Sequence, residues 1–299
     1  MKYIEYDIGE NEVRVIGPRG KRKKNKFRWF FLCLAAITLI AIVWYLFSNM
    51  SSSNVPKADE EIPSYFEPND TVVEQKDSVE IDSILGVVVP DDARGFTECR
   101  DTVINDIELK IYIPHNAVAT LHLGKINRHD KSIVLAAQAA DIRQDNGKIL
   151  GAFVLRGQPL SYGLSKKGFC AILDGKMTVG VADNSPLFEE ATQCEGYFFR
   201  QYPLVDRGRL VESNLKGKSI RRALCDRMGQ HFMVETATPE SFHDFSQALI
   251  DLNVTNAIYL VGSSAYGWAV DADGRRTEWG IWVARIPRNV TYLVWRRKK

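Results

Sequence analysis

Residues 29–47, WFFLCLAAITLIAIVWYLF, are nineteen consecutive residues without a charge. As an α-helix they extend roughly 28 Å, close to the hydrocarbon thickness of a bilayer. A core helix of a soluble domain rarely lacks polar residues on every face, and Thr38 alone interrupts this run. Trp29, Trp44 and Tyr45 lie near its ends, where aromatic rings favour the headgroup zone. Seven basic residues between Arg19 and Arg28 precede it, so the N-terminus is expected in the cytoplasm and everything after about Ser48 outside it. A cleaved signal peptide fits less well: the run is long for such a core, and Ser48-Asn49-Met50-Ser51 is no small-x-small cleavage site.

The expected organisation is a basic cytoplasmic tail (1–28), a transmembrane anchor (29–47), an acidic flexible spacer (48–94) and a globular domain (95–299). Residues 57–82 carry nine acids against Lys57 and Lys76, together with Pro63 and Pro68, the composition of a spacer rather than a core. The chain's net charge is only +2 and its basic block adjoins a membrane span, so a nucleic-acid role is set aside and anionic headgroups are the expected partner of the tail. Five histidines fit no metal-ligand spacing and no Cys-x-x-Cys occurs, so neither metal nor cofactor is expected. Cys170 and Cys225 lie in apolar contexts that read as core; an extracytoplasmic setting allows one disulfide among Cys99, Cys170, Cys194 and Cys225, with no pair assigned.

From about Gly95 the pattern turns to strands. Ile107, Leu109, Ile111 and Ile113 alternate with Glu108, Lys110 and Tyr112, and Ala119–Ile126 reads similarly. Residues 133–140 are nearly all apolar, a central strand. Hairpins are expected at Arg156-Gly157, at Arg227–Gly229, at 271–274 and above all at Asp174-Gly175, a dipeptide that tolerates two positive φ angles. One helix is expected, capped by Thr238 with Pro239 in its first position and a core stripe of Phe242, Phe245, Leu249 and Leu252. Strands follow at 256–261, 281–286 and 291–295. The fold class is therefore α+β, a largely antiparallel mixed β-sheet domain with few helices behind one transmembrane helix.

Three places carry candidate chemistry. A short buried strand running into Gly262-Ser263-Ser264 offers backbone N–H groups and two hydroxyls for a phosphate or sugar oxygen, or is a plain loop with a close approach at Gly262. Arg221 and Arg222 adjoin on a strand, so either the pair belongs to a solvated face or one turns inward, the other staying solvated, and needs an anion, a carboxylate or a substrate phosphate. The loop 141–147 places Asp141 and Asp145 just past the central strand.

The order of these pieces resembles the phosphodiester glycosidase family, in particular its membrane-anchored bacterial members, over roughly residues 100–285. The resemblance implies a periplasmic domain at the bacterial inner membrane, hydrolysing the glycosidic bond of a sugar phosphodiester. The family's Asn-Leu-Asp-Gly-Gly-Gly-Ser-Ser appears here as Tyr259-Leu260-Val261-Gly262-Ser263-Ser264, with valine where the hallmark aspartate stands. Its Asn-Gly-Gly-Phe-Phe becomes Gln138-Ala139-Ala140-Asp141-Ile142, and Arg221 takes the place of its arginine. An oxocarbenium-like centre calls for a nearby carboxylate, and Val261 cannot supply one. The resemblance thus implies Asp141 and Arg221 as catalytic residues and Gln138, Arg222, Gly262, Ser263 and Ser264 as substrate contacts. The alternative is a degenerate domain that binds a glycan or envelope partner without turnover.

Overall fold

The computed structural model describes residues 89–213 and 215–298. The segments expected to be tail (1–28) and anchor (29–47), and nearly all of the expected spacer, lie outside the described residues. Among the described residues no helix is long and apolar enough to cross a membrane.

Seventeen strands and two helices make up the described part. One sheet has seven strands: β1 (Phe96–Ile104), β2 (Ile107–His115), β13 (Gln230–Thr236), β12 (Arg222–Arg227), β14 (Asn256–Leu260), β10 (Pro203–Asp206) and β11 (Arg209–Leu210), in that spatial order. A second orders β16 (Arg276–Trp279), β15 (Gly267–Val270), β4 (Ile133–Gln138), β17 (Thr291–Arg297) and β3 (Ala117–Leu123). The third orders β6 (Gln158–Tyr162), β5 (Ala152–Leu155), β9 (Tyr197–Gln201), β7 (Gly168–Leu173) and β8 (Lys176–Val181). Every one of these pairings is antiparallel, so the mixed pairing expected from sequence does not occur among the named strands.

Local chemistry accounts for much of this. The hairpins β1–β2, β5–β6, β7–β8, β10–β11 and β12–β13 turn on two residues, both with positive φ: Asn105-Asp106, Arg156-Gly157, Asp174-Gly175, Arg207-Gly208 and Met228-Gly229. That is the type I′ geometry whose twist matches that of its flanking strands. Asp174 at 49° and Gly175 at 77° match the sequence expectation directly.

Alternation along the strands then separates two cores. Ile107, Leu109, Ile111 and Ile113 of β2, Ala223 and Cys225 of β12, and Phe232 and Val234 of β13 face helix α2 (Phe242–Asp251). On the opposite side Tyr112, Leu224, Met233 and Ile258 meet the inner faces of the other two sheets, through Leu135, Leu293, Phe153 and Phe199 among others. The short helix α1 (Leu187–Gln193) covers the outer face of the third sheet, packing Ala191 with Val154 and Phe198. Residues 281–286 cover the outer face of the second, placing Trp282 and Ile286 over Tyr266 and Tyr292.

Two expectations need correction. Helix α2 begins at Phe242 and is capped by Ser241, whose hydroxyl accepts from the Asp244 N–H at 3.0 Å. Thr238 and Pro239 precede it because Glu240 is held in an antiparallel bridge with Ser219 and cannot enter the helix. Its stripe is as read: Phe242, Phe245, Leu249 and Leu252 are all buried, each contributing about 1.5–3 kcal/mol of burial. Residues 281–286 form no strand; Gly280 at φ 68° turns the chain out of the sheet, and Ile281 and Val283 are exposed. The four described cysteines are free thiols, Cys170 and Cys225 buried as expected and Cys99 and Cys194 exposed.

Candidate functional site

The ends of strands from all three sheets converge on one spot. The chain leaving β4 carries Gln138 to Asp141, β9 ends in Gln201 and runs into Tyr202, and β14 runs into Val261 and Gly262. The Val261 N–H donates to the Gln138 carbonyl at 3.1 Å, and the Gln201 side-chain amide to the Ala139 carbonyl at 3.1 Å. These two bonds join the three sheets at their ends.

Asp141 sits here with its side chain one-quarter exposed. Its Oδ2 receives the Lys166 ammonium and, at 3.3 Å, the Gln201 amide. Lys166 is almost fully buried and also donates to Gln201 Oε1 at 2.6 Å, and its Nζ lies 4.4 Å from the Tyr202 ring centroid. Burial pulls the Lys166 ammonium below the ordinary lysine value, opposed by the Asp141 charge. Burial, with Asp141 as a second cause, raises the Tyr202 phenol. Arg200, itself buried, donates to the Lys166 carbonyl at 2.8 Å and so fixes the loop that presents this lysine.

Aromatic contacts extend the cluster. Tyr202 and Phe242 rings lie 6.3 Å apart, Phe242 and Tyr259 5.0 Å apart, and the Arg221 guanidinium sits 4.1 Å from the Phe242 centroid. The Tyr259 hydroxyl accepts from the Gly262 N–H at 3.1 Å. Asp141, Arg221 and Gly262 are therefore linked through Tyr202, Phe242 and Tyr259.

The sequence-predicted residues have distinct roles in this frame. Arg221 donates from Nε to the Glu240 carbonyl at 2.8 Å and from Nη2 to the Gly217 carbonyl at 2.6 Å. Arg222 pairs with the Glu235 carboxylate and donates to the carbonyls of Val261, Ala265 and Ser263 at 3.1, 3.1 and 3.3 Å. It is thereby the clamp that shapes the 261–265 turn. In that turn Gly262 has no room for a Cβ, which would lie 2.3 Å from the Ile220 carbonyl oxygen. The N–H groups of Val261, Gly262 and Ser263 bond to Gln138, Tyr259 and Ile220, so they do not form an anion cradle; Ser263 and Ser264 are exposed hydroxyls on its rim. The Gln138 side chain bonds to Tyr292. Asp145 lies away on an exposed turn, bound to Arg143 at 2.8 and 2.9 Å.

Lys166, Gln201, Tyr202 and Tyr259 were not singled out in the sequence. Lys166 stands in an exposed-looking Ser165-Lys166-Lys167-Gly168, and only the fold separates it from Lys167, which pairs with Asp183 at the surface. Gln201 gave the one usable signal, a polar residue ending the apolar strand Tyr197–Gln201.

The cluster presents one carboxylate whose Oδ1 meets no protein donor among the described residues, one buried ammonium, and partly exposed tyrosine rings. Glu235 is engaged by Arg222, and the Glu240 side chain by Lys218 at 3.2 Å. A glycosidase of the usual kind works with a pair of carboxylates flanking the bond; this cluster offers Asp141 alone.

No protein-family model and no curated protein matches the chain. Among the solved structures with a weak likeness of fold are the following two. One is the zebrafish N-acetylglucosamine-1-phosphodiester alpha-N-acetylglucosaminidase catalytic domain, auto-inhibited by its pro-peptide. It is 14% identical over 69% of this chain and 83% of that chain, with a TM-score of 0.48. The other is a hypothetical protein from Synechocystis, 12% identical over 67% of this chain and 62% of that chain, with a TM-score of 0.43.

Proposed function

We propose that this protein is a membrane-anchored, extracytoplasmic domain related to the phosphodiester glycosidases that binds a glycan or sugar phosphate without hydrolysing it. The observation that carries this reading is the state of the charged groups at the site. Asp141 is the sole carboxylate of the cluster and is neutralised by the buried Lys166, while Arg221 and Arg222 are bonded to the protein itself. Partly exposed Tyr202 and Tyr259 supply flat apolar surface for a sugar ring, with Asp141 Oδ1 and the hydroxyls of Ser263 and Ser264 as polar contacts. The apolar run 29–47 and the basic block before it support the anchor, with the domain in the periplasm.

Full-length protein in neutral detergent, titrated with N-acetylglucosamine 1-phosphate and offered a chromogenic sugar phosphodiester, tests this. Binding without turnover is expected, weakened about tenfold in Tyr202→Ala, the loss of one ring contact. The accessible Asp141 oxygen is what favours the hydrolytic reading instead. Turnover that disappears in Asp141→Asn would establish it, with Arg221→Ala reporting whether the guanidinium takes part. An alkaline phosphatase fusion at the C-terminus is expected to be active in a bacterial host, and an inactive fusion refutes the topology.

A further inference from the structure

A cavity of about 310 Å³ opens at the other end of β4. Ile133, the first residue of that strand, lines it, whereas Gln138 is its last and Asp141 follows; five residue steps along the strand put its ends about 17 Å apart. Arg94, Arg128, Lys131, Arg276 and Arg297 surround the opening, with Asp130 the one carboxylate among its lining residues.

The charges are not balanced within the protein. Asp130 pairs with Arg296, and Glu278 is shared by Arg128 at 3.1 Å and Arg276 at 2.8 Å. Among the described residues no carboxylate pairs with Arg94, Lys131 or Arg297. The Arg297 guanidinium donates only to the backbone carbonyls of Gly95 and Lys131. Burial and the Arg94 charge hold it below the ordinary arginine value, the effect of like charges gathered around low-dielectric walls. Two of the arginines are also held rigidly. Arg276 lies 4.2 Å from the Trp268 ring centroid and donates to the Tyr266 hydroxyl at 2.9 Å, and Arg128 lies 5.3 Å from the Trp282 centroid. Paired with Glu278 and packed on these rings, Arg128 and Arg276 form a fixed wall beside the cations that lack a carboxylate.

We propose that this cavity, bounded by the β3–β4 loop, β15, β16 and the end of β17, is a second ligand site that takes a soluble phosphate ester of about monosaccharide size. Arg94, Lys131 and Arg297 meet the phosphate; Ile133 and Val270 give the cavity its apolar wall. Its volume is at the small end of the ligand-pocket range, which suits one sugar ring and one phosphate. The site stands whether or not the Asp141 cluster binds sugars.

Calorimetric titration of the full-length protein in neutral detergent with glucose 6-phosphate, inorganic phosphate and glucose tests it. Glucose 6-phosphate is expected to bind, phosphate to compete with it, and glucose to give no heat; affinity should fall as sodium chloride is added. Arg94→Glu combined with Lys131→Glu alters two exposed side chains that make no hydrogen bond or ion pair among the described residues. It should weaken binding at least about tenfold, one lost charge-assisted contact being worth that much. Tyr202→Ala should remove only the heat that belongs to the Asp141 site and leave a component that the double variant abolishes. The site is overturned if glucose 6-phosphate does not bind, if the double variant binds as tightly as the parent, or if Tyr202→Ala abolishes the binding. Displacement by phosphatidylglycerol added to the micelles, without competition by inorganic phosphate, would assign the cavity to a lipid headgroup and overturn the soluble ligand.

Discussion

Arg221 and Arg222 show how far single residues could be read. Adjacency on a strand predicts one inward and one solvated guanidinium; Arg222 does turn inward to an anion, but Arg221, just before β12, is buried as well. The anion of Arg222 is the protein's own Glu235, whose position on the neighbouring strand depends on the β12–β13 register rather than on local sequence. Arg222→Met is expected to destabilise the domain by about 3–5 kcal/mol, since it leaves Glu235 buried without a partner; urea unfolding monitored by tryptophan fluorescence measures this. His231 gives a pH-dependent expectation. Burial lowers its pKa below the ordinary 6.5, against the opposing Asp226 charge. The unfolded chain then binds more protons between the lowered folded value and 6.5. Its contribution to stability therefore rises with pH through that window and is lost on acidification. His231→Gln should lose less stability than the parent between about pH 7 and pH 5, a window around the ordinary histidine value, in parallel denaturation curves. Greater acid sensitivity in the variant would contradict the assignment.

At the scale of elements, turns written into a dipeptide were legible and turns written into context were not. Asp174-Gly175 and Arg156-Gly157 declare themselves through glycine, whereas Asn105-Asp106 reaches the same geometry with φ of 51° and 61° and no glycine at all. Asparagine and aspartate tolerate that region because their short side chains bond locally, a weaker sequence signal. The start of α2 was misplaced for a comparable reason: Thr238-Pro239-Glu240 has the composition of a helix start, but a bridge to residue 219 occupies Glu240. Two substitutions separate these readings. Ser241→Ala should cost about 1 kcal/mol as the loss of a cap, and Thr238→Ala should stay within about 0.5 kcal/mol as a surface change. Equal effects in thermal melts would contradict the observed cap. Gly175→Ala should cost about 1–2 kcal/mol, the price of a Cβ in the left-handed region.

At the scale of the molecule, the site is a meeting of three sheet ends, and this is the part the sequence does not display. Asp141, Arg221 and Gly262 were each visible as candidates, but β14 lies between β12 and β10, and Lys166 and Gln201 arrive from a different sheet. Such non-local pairing leaves no periodic trace. Gly262→Ala should test the junction as a unit: a Cβ against the Ile220 carbonyl is expected to cost about 1–3 kcal/mol of stability and to weaken ligand binding at the Tyr202 site together. The position of β17 has a consequence in time. Residues 291–297 pair on one side with residues 117–123 and on the other with residues 133–138. A ribosome therefore makes both outer partners long before the strand that belongs between them. Until it emerges, β3 and β4 each lack the partner between them, and closure of this sheet is expected only after the last strand is made.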